Sequence, residues 1–365
     1  MAQKMIRILI VDDNSFHRKI LTEALSEIEG IEVLGTANHG KMALDKIAQL
    51  NPDLITLDVE MPEMDGIETL RHLKHIAPQV TVIMVSAYTV QGAKVTMEAL
   101  ALGAFDFITK PEGTDLRRNI DDLRFQLKTI INASVVKKRT KSILDDYPLI
   151  DRLAPERAPA AAPVPGKSSI SGSVDIVAIG TSTGGPKALT RVIPRLPHNL
   201  KVPVTIVLHM PPVFTSAFAE SLDKDSSVSV VEARSGQRLE PATVYLAPGG
   251  KHMKVVRQED TGKPGVLITD DPPENNCKPS ADYLFRSVAG LYKDRALGVI
   301  MTGMGTDGAL GLKLMKRQGA RVIAQDQASS VVFSMPMEAI KAGVVDEVLD
   351  LERIADEITL IGGRR

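Results

Sequence analysis

Five polar side chains in the first third of the chain follow short apolar runs, and their types together suit phosphoryl transfer. They are Asp12, Asp13, Asp58, Ser86 and Lys110. Three carboxylates in one place repel one another unless a hard cation neutralises them, and Mg²⁺ suits such oxygen ligands. A carboxylate can act as the nucleophile, while a lysine and a hydroxyl can bind phosphoryl oxygens. Each residue alone could be an ordinary loop cap, but five after successive strands predict a phosphoryl-transfer site.

A second group of candidates begins with Ser182, which lies in the glycine-rich turn from Gly180 to Pro186. The spacing Gly-x-Ser-x-Gly between an apolar run and a helical pattern is typical of a nucleophilic serine on a tight turn. Small residues before a helix can instead cradle a phosphate, although neither the P-loop pattern nor the dinucleotide-binding pattern is present. Taken alone, the turn indicates either a catalytic serine or an anion-binding loop.

Two residues after later strands favour the catalytic interpretation of Ser182. His209 follows an apolar run directly, and Asp307 lies in a glycine-rich turn a few residues after another. A serine hydroxyl needs an imidazole to accept its proton and a carboxylate to orient that imidazole. The glycines around Met304 would let backbone N–H groups approach an oxyanion. The chain order Ser, His, Asp differs from that of α/β-hydrolases, so a triad here belongs to a different fold.

Three other residues of reactive type are weaker candidates. His252 could line a pocket but is expected in a loop, and His198 is expected at the surface. Cys277 carries no sequence signal for catalysis and is expected to be a bystander thiol.

The elements that must position these residues are short β-branched runs alternating with amphipathic helical patterns on both halves of the chain. Such alternation predicts an α/β fold with a mainly parallel sheet in each half, the first doubly wound. In the first half the predicted strands are Ile6–Val11, Ile31–Leu34, Leu54–Leu57, Val80–Val85 and Phe105–Ile108. In the second half they are Val174–Ile179, Val204–Leu208, Thr243–Leu246, Ala296–Met301 and Ala320–Ala324, with an antiparallel hairpin of Lys251–Val256 and Val266–Thr269.

A segment rich in proline and alanine separates the two halves. It begins near a basic cluster at residues 137–141 and ends in a run of serine and glycine at residues 168–173. Sparse apolar residues and missing backbone donors prevent such a segment from forming a core. We therefore predict a first domain at residues 1–131, a linker at 132–173 and a second domain at 174–365. The basic cluster is expected to end a solvated helix rather than to bind nucleic acid.

Composition excludes several classes of protein. The chain has 365 residues, with 44 Lys and Arg against 45 Asp and Glu, so its formal net charge is −1. That balance of charge argues against nucleic-acid binding as the main function of the protein. One cysteine cannot form an internal disulfide or a thiolate zinc site, which favours a reducing, cytoplasmic location. Neither a secretory signal nor a membrane-inserted segment is expected from the apolar runs.

The first half resembles the receiver domain of two-component response regulators over about residues 4 to 130. The matching segments are Ile10-Val11-Asp12-Asp13, Asp58 to Gly66, Val85-Ser86-Ala87 and Thr109-Lys110-Pro111. The resemblance implies a flavodoxin-like fold and phosphorylation of Asp58 by a histidine kinase. It also implies that Asp12, Asp13, Asp58 and the Glu60 carbonyl ligate Mg²⁺, and that Ser86 and Lys110 bind the phosphoryl group. Phe107 occupies the switch aromatic position of that family, although it could equally be a core residue.

The second half resembles the catalytic domain of chemotaxis-type protein-glutamate methylesterases from about Val174 to Leu360. The matching segments are Gly180–Pro186, Leu208–Thr215, Ala247–His252, Pro279–Asp282, Met301–Gly308 and Ala324–Asp326. The resemblance implies Ser182 as nucleophile, His209 as base, Asp307 as orienting acid and the Met304 N–H as an oxyanion donor. It implies hydrolysis of glutamyl methyl esters on chemoreceptors, with methanol released, and deamidation of certain receptor glutamines. No cofactor is expected for this step.

The resemblance to this family also suggests a regulated enzyme, in which the unphosphorylated receiver covers the triad and phosphorylation of Asp58 releases it. Two other functions are weighed against this one. A DNA-binding second half is disfavoured because residues 174–365 carry 23 Lys and Arg against 22 Asp and Glu, a net charge of +1. An adaptor that only binds a nucleotide or phosphate would use the same glycine-rich loops without a reactive serine.

Overall fold

The computed structural model describes residues 5–111, 113, 115–146 and 174–363. The first domain is a five-stranded sheet of order β2-β1-β3-β4-β5, in which every pair of neighbours is parallel. Its strands are β1 (Ile6–Val11), β2 (Ile31–Ala37), β3 (Leu54–Asp58), β4 (Thr81–Ser86) and β5 (Asp106–Thr109). Its helices are α1 (Ser15–Ser26), α2 (Gly40–Leu50), α3 (Gly66–Ile76), α4 (Val90–Leu102) and α5 (Leu116–Asp146). The prediction of a doubly wound α/β fold is confirmed.

Local sequence explains why these helices begin at the sheet edge that carries the acids. The Asn14 side chain accepts hydrogen bonds from the first turn of α1, and Asp65 and Thr89 do the same for α3 and α4. The core strands between them are buried continuously, because helices cover both faces of a parallel sheet.

Helix α5 differs from the sequence prediction in its length. It continues through residues 132–146, which the sequence assigned to the linker, and so includes the basic cluster. Alanine, lysine, arginine and leucine in this stretch favour helix, and no proline interrupts it before residue 148. The remaining predicted linker, residues 147–173, lies outside the described residues.

The second domain is a seven-stranded parallel sheet of order β14-β13-β12-β6-β7-β9-β8, with a separate antiparallel hairpin β10-β11. Its strands are β6 (Ile176–Thr181), β7 (Val204–Leu208), β8 (Ser229–Glu232), β9 (Thr243–Leu246), β10 (His252–Arg257), β11 (Pro264–Thr269), β12 (Ala296–Ile300), β13 (Arg321–Gln325) and β14 (Glu347–Leu349). Its helices are α6 (Gly185–Val192), α7 (Phe214–Asp225), α8 (Ala281–Tyr292), α9 (Ala309–Arg317), α10 (Ser334–Lys341) and α11 (Leu351–Gly362).

The order of strands creates a crevice at the centre of each sheet. In the second domain the chain continues from β6 to β7 on one side, and it later places β12 on the other side. In the first domain β1 lies between β2 and β3 in the same way. Ligands of open α/β sheets bind at such reversals, beyond the carboxyl ends of the strands. Asp12, Asp13 and Asp58 lie at the first reversal, and Ser182 and Asp307 lie at the second. Ser86, Lys110 and His209 lie at the ends of neighbouring strands along the same edges.

The two domains share apolar packing. Ala93 and Met97 of α4 belong to the same buried cluster as the helices and strands of the second domain. The Phe107 ring stacks on Phe214 of α7, with 4.7 Å between ring centroids. Among the described residues, no helix combines the length and apolarity that crossing a bilayer requires.

Candidate functional site

The acids of the first domain meet beside Lys110, as the sequence predicts. Carboxylate oxygens of Asp12, Asp13 and Asp58 lie within 4.8 Å of one another. Lys110 Nζ lies 2.6 Å from Asp58 Oδ2 and 3.3 Å from Asp12 Oδ2. Asp12 and Asp58 are buried, whereas Asp13 is exposed. One ammonium group therefore faces two buried carboxylates.

This imbalance of charge decides the ionisation of Asp58. Burial and the neighbouring Asp12 carboxylate raise the pKa of Asp58 to about 7, although the hydrogen bond and charge of Lys110 act in the opposite direction. Burial lowers the pKa of Lys110, but its contact with Asp58 more than compensates, so the pKa is raised on balance. Asp58 is thus a carboxylate whose charge the protein alone does not fully balance.

The donor set fits a hard divalent cation. Asp12 Oδ2 is buried without a hydrogen bond, and its polar neighbours are Lys110 Nζ at 3.3 Å and His17 Nδ1 at 3.6 Å. Its remaining lone pair is available to a cation. Within the described part of the chain, no hydrogen-bond donor contacts the Glu60 carbonyl. Ser86 is buried at the end of β4, and its hydroxyl makes a long bond of 3.3 Å to the Ala87 carbonyl. A stronger acceptor, such as a phosphoryl oxygen, would readily replace that bond.

In the second domain, Ser182 lies where β6 turns into α6. Its N–H donates to the Thr302 carbonyl at 3.0 Å, which ties the turn to the loop after β12. A Cβ on Gly303 would lie 2.8 Å from the Ser182 Cβ, so only glycine allows this approach. Gly184, with φ of +75°, takes the left-handed conformation that ends the turn. The serine itself does not, so this turn differs from a strained nucleophile elbow.

His209 and Asp307 form a direct pair beside this turn. The distance from His209 Nε2 to Asp307 Oδ2 is 2.8 Å. The backbone N–H of His209 donates to the Thr181 carbonyl at 3.1 Å, which holds the end of β7 against the end of β6. Ser182, His209 and Asp307 therefore converge from three adjacent strands, as predicted from their places in the sequence.

Asp307 is surrounded by donors. Its carboxylate accepts hydrogen bonds from the Ser280 hydroxyl at 2.7 Å and from the Ala281 and Asp282 N–H groups at 2.6 and 3.1 Å. Burial would raise the pKa of Asp307, but the hydrogen bonds, first of all that from His209, lower it instead. Burial lowers the pKa of His209, but hydrogen bonds with Asp307 and Cys277 more than offset this and raise it to about 9.

Ser182 and His209 line the same cleft, but their side chains are not hydrogen-bonded to each other in the described structure. The cleft has a volume of about 280 Å³. Among the described residues, no hydrogen bond links the Ser182 hydroxyl to His209. The other ring nitrogen of His209, Nδ1, lies 3.6 Å from Cys277 Sγ. Catalytic hydrogen bonds are often loose before substrate binds. The expectation of a bystander thiol did not include this contact, because the loop that carries Cys277 reaches His209 from 68 positions away.

Met304 lies in the loop after β12, and its side chain is 44% exposed. Its backbone N–H makes no hydrogen bond within the described ranges. The neighbouring Gly303 N–H, by contrast, donates to the Val332 carbonyl at 2.9 Å. An N–H that the fold leaves free is what an oxyanion donor requires.

The receiver forms one wall of the cleft. Asp106, Thr109 and Gln126 of the first domain line it opposite Ser182 and His209. Asp106 is buried, and its carboxylate accepts a long hydrogen bond of 3.4 Å from the Gly184 N–H. Burial raises the pKa of Asp106 to about 6. No sequence pattern marks Asp106 as a site residue, since only the assembled domains place it against the serine turn.

The two weaker histidine candidates lie in different surroundings, one buried and one exposed. His252 is fully buried at the start of β10, so the expectation of a loop residue is wrong. Its Nδ1 accepts from the Ser280 N–H at 3.3 Å, and its ring stacks on Tyr283. These contacts support the chain segment that holds Asp307. His198 is exposed, as expected.

Comparison with known proteins matches each half of the chain to a family. Residues 8–121 match the family model "Response regulator receiver domain", and residues 177–358 match "CheB methylesterase". The chain is 46% identical over 359 residues to a "Protein-glutamate methylesterase/protein-glutamine glutaminase" of Desulfotalea psychrophila, covering 97% of this chain and 98% of that one. A protein of the same name from Bacillus subtilis is 44% identical, with the same shares covered.

One solved structure shows that the similarity of the second half extends to its fold. It is the crystal structure of the Thermotoga maritima CheB methylesterase catalytic domain, which is 39% identical and superimposes with a TM-score of 0.50. The match covers 52% of this chain and all of that one.

Proposed function

The chain belongs to the CheB methylesterase family, with a receiver domain ahead of the esterase, and we propose that Ser182, His209 and Asp307 are its catalytic triad. It is a protein-glutamate methylesterase and protein-glutamine glutaminase of chemotactic adaptation, regulated through phosphorylation. The observation that carries the triad is the convergence of the three residues at adjacent strand ends, with His209 and Asp307 2.8 Å apart.

The reaction follows from the chemistry of these groups. Ser182 Oγ attacks the ester carbonyl carbon while His209 takes the hydroxyl proton. The same proton passes to the departing methoxide as the carbon–oxygen bond breaks, which releases methanol and leaves an acyl-serine. Water then gives a proton to His209 and attacks the acyl-serine, which restores the Ser182 hydroxyl and releases glutamate. The Met304 N–H stabilises the oxyanion in both steps.

The receiver is proposed to be phosphorylated at Asp58 by a histidine kinase. Asp12, Asp13, Asp58 and the Glu60 carbonyl would hold Mg²⁺, which would neutralise the carboxylates and the phosphoryl oxygens when bound. Ser86 and Lys110 would then bind the phosphoryl group. The buried Asp12 Oδ2 without a hydrogen bond supports this assignment.

Phosphorylation is proposed to act on the wall that the receiver places over the cleft. A phosphoryl group on Asp58 adds negative charge that Ser86 and Lys110 bind. Phe107 of the same domain lines the cleft and stacks on Phe214 of the second domain. Shifting a covered population from 99% to 1% needs about 5.5 kcal/mol. Charged hydrogen bonds at about 1.5–3 kcal/mol each make that reachable with a few contacts.

The proposed substrates are glutamyl methyl esters and certain glutamines on methyl-accepting chemoreceptors. We further propose that the enzyme acts in the cytoplasm, where the receptor helices that carry these groups are exposed. Neither nucleic acid nor membrane insertion has a part in this function.

The decisive experiment for the triad is methanol release from methylated receptor, with and without a small phosphodonor. Ser182→Ala removes the nucleophile and should lower the rate by at least about 10³-fold. Phosphorylation of Asp58 in the same variant should be unimpaired, which shows that the receiver is folded, and an unchanged second unfolding transition in calorimetry would show the same for the esterase domain. Retained turnover would mean that another residue is the nucleophile.

The same assay tests the receiver. Asp58→Asn keeps the shape of the side chain but cannot be phosphorylated, so the phosphodonor should no longer raise the rate of methanol release. The readout is the ratio of rates with and without phosphodonor. An unchanged ratio would remove the proposed regulation while leaving the triad intact.

A further inference from the structure

His209 has contacts at both ring nitrogens, and neither contact is to the serine. Asp307 Oδ2 lies 2.8 Å from Nε2, and Cys277 Sγ lies 3.6 Å from Nδ1. The distance to sulfur is within the range of a weak hydrogen bond. Because Asp307 occupies Nε2, the proton of Ser182 has to pass to Nδ1. The nitrogen that catalysis needs is therefore the one that Cys277 contacts.

The loop around Cys277 is built to hold the thiol there. The N–H of Cys277 donates to the Glu274 carbonyl at 2.9 Å, and the Glu274 N–H donates back to the Cys277 carbonyl at 3.1 Å. Glu274 is paired with Arg286 of α8 through both carboxylate oxygens. Cys277 Sγ also lies 3.4 Å from the Asn275 carbonyl. The thiol thus has a fixed place in a tight loop that is tied to a helix.

We propose that Cys277 is a positioning residue for the catalytic base, holding His209 through Nδ1 and so setting its orientation and protonation before substrate arrives. This inference rests on the proposed role of His209. For Ser182 to transfer its proton, the imidazole must exchange the sulfur contact for one with the serine hydroxyl. Cys277 takes up no proton and forms no bond in the reaction, and it acts through its contact with the base alone.

The electrostatics of the pocket point the same way. The titratable groups in contact with His209 are Asp307 and Cys277, and the receiver adds Asp106 to the same cleft. Burial lowers the pKa of His209, whereas its hydrogen bonds with Asp307 and Cys277 and the charge of Asp307 raise it. An imidazole that is protonated cannot accept the serine proton. Removing the thiol should therefore leave more of His209 in the neutral, active form at neutral pH.

The test is the pH profile of kcat/KM for methanol release by the full chain, saturated with phosphodonor. In Cys277→Ala the acid limb of the profile should move to lower pH. At a fixed pH below that limb, kcat/KM should rise by up to about tenfold for every pH unit that the limb moves, with KM unchanged. Cys277→Ser retains a small polar group without the thiol, so its limb should move in the same direction by a smaller amount.

If Cys277 had a purely structural role, Cys277→Ala would lower kcat/KM by the same factor at every pH, and the acid limb would stay at the same pH. That result would overturn the proposal. Ser182→Ala is measured in parallel. If that variant keeps its activity, the proposed triad has failed; if it is inactive while the limb of Cys277→Ala stays in place, only the positioning role has failed.

A second measurement does not depend on the cysteine variants folding. Cys277 is the one cysteine of the chain, so alkylation by iodoacetamide reports on it alone. A cationic imidazole beside a sulfur favours the nucleophilic form of a thiol, so loss of the His209 ring should lower the rate of alkylation in the folded protein. His209→Gln should slow alkylation of the folded protein several-fold. Equal rates in wild type and His209→Gln would contradict the contact.

Discussion

Asp58 and Asp307 are both buried aspartates at the carboxyl edge of a parallel sheet, yet their surroundings change their pKa values in opposite directions. Asp58 faces another carboxylate and one ammonium group, and its pKa is raised to about 7. Asp307 accepts hydrogen bonds from His209, a serine hydroxyl and two backbone N–H groups, and its pKa is lowered. Asp307 is fixed as an anion that orients a base, whereas Asp58 keeps an unbalanced charge that a cation and a phosphoryl group can resolve.

The difference teaches that position in the fold does not determine the role of an acid. Asp58 ends a strand and Asp307 lies in the loop after one, and both strands lie beside a topological reversal, where ligands bind. What separates them is the supply of donors. An aspartate with its oxygens fully bonded is held in one geometry, while one with an acid beside it is available for chemistry.

The largest expected effect tests the orienting role of Asp307. Asp307→Asn replaces an acceptor that His209 needs by a group that can present an N–H instead, so the imidazole loses its orientation and the stabilisation of its charged form. We expect kcat for methanol release to fall by about 10²- to 10⁴-fold, with a smaller change in KM. The control is Asp282→Asn, which alters a neighbouring buried acid that does not contact His209. A loss of the same size in that control would show that any change in this region disrupts the site.

The sequence predicts the place of Asp307 but not its surroundings. Runs such as Leu54–Asp58 and Ala296–Ile300 are mostly apolar and buried throughout, so the sequence shows both the strands and the residues at their ends. Two edge strands, Ser229–Glu232 and Glu347–Leu349, are absent from the sequence prediction because their exposed polar residues hide the apolar pattern.

Contacts between distant segments could not be predicted in the same way. Cys277 reaches His209 because its loop folds back on itself, and Asp106 reaches Gly184 because two domains pack together. Neither contact leaves a local pattern of spacing or composition. Strand-end positions therefore indicate which residues form a site, whereas the residues that tune it depend on the assembled fold.

A smaller effect concerns stability, where the two aspartates should respond with opposite signs. With divalent cations chelated at neutral pH, Asp58→Asn removes a poorly balanced buried charge and should stabilise the first domain by about 1–2 kcal/mol. Asp307→Asn breaks a buried network and should destabilise the second domain by about 2–4 kcal/mol. Calorimetry of the full chain measures both transitions.

The pH dependence of these two effects follows from the direction in which folding changes each pKa. The pKa of Asp58 is raised on folding, so the stabilisation by Asp58→Asn should be absent at acid pH. The increase in the free energy of unfolding should grow as the pH rises above the ordinary carboxyl range and should level off above about 7. The pKa of Asp307 is lowered, so the loss from Asp307→Asn should be full at neutral pH and should shrink as the medium is acidified below the ordinary carboxyl range. If both variants changed the free energy of unfolding in the same direction, the contrast between Asp58 and Asp307 would be wrong.

The smallest expected effect concerns the contact between the domains that carry these two sites. Lys94 of α4 and Glu220 of α7 form an exposed ion pair of 3.4 Å across the domain boundary. Glu220→Lys turns attraction into repulsion, which should weaken the cover over the cleft by no more than about 1 kcal/mol. Methanol release without phosphodonor should then rise by about two- to fivefold, less so at high salt, because salt screens exposed charges. The double variant Lys94→Glu with Glu220→Lys restores the pair and should return the unstimulated rate to that of the wild type. Equal rates in all three proteins would indicate that the apolar contacts of Phe107 and Phe214 hold the receiver over the cleft without help from this ion pair.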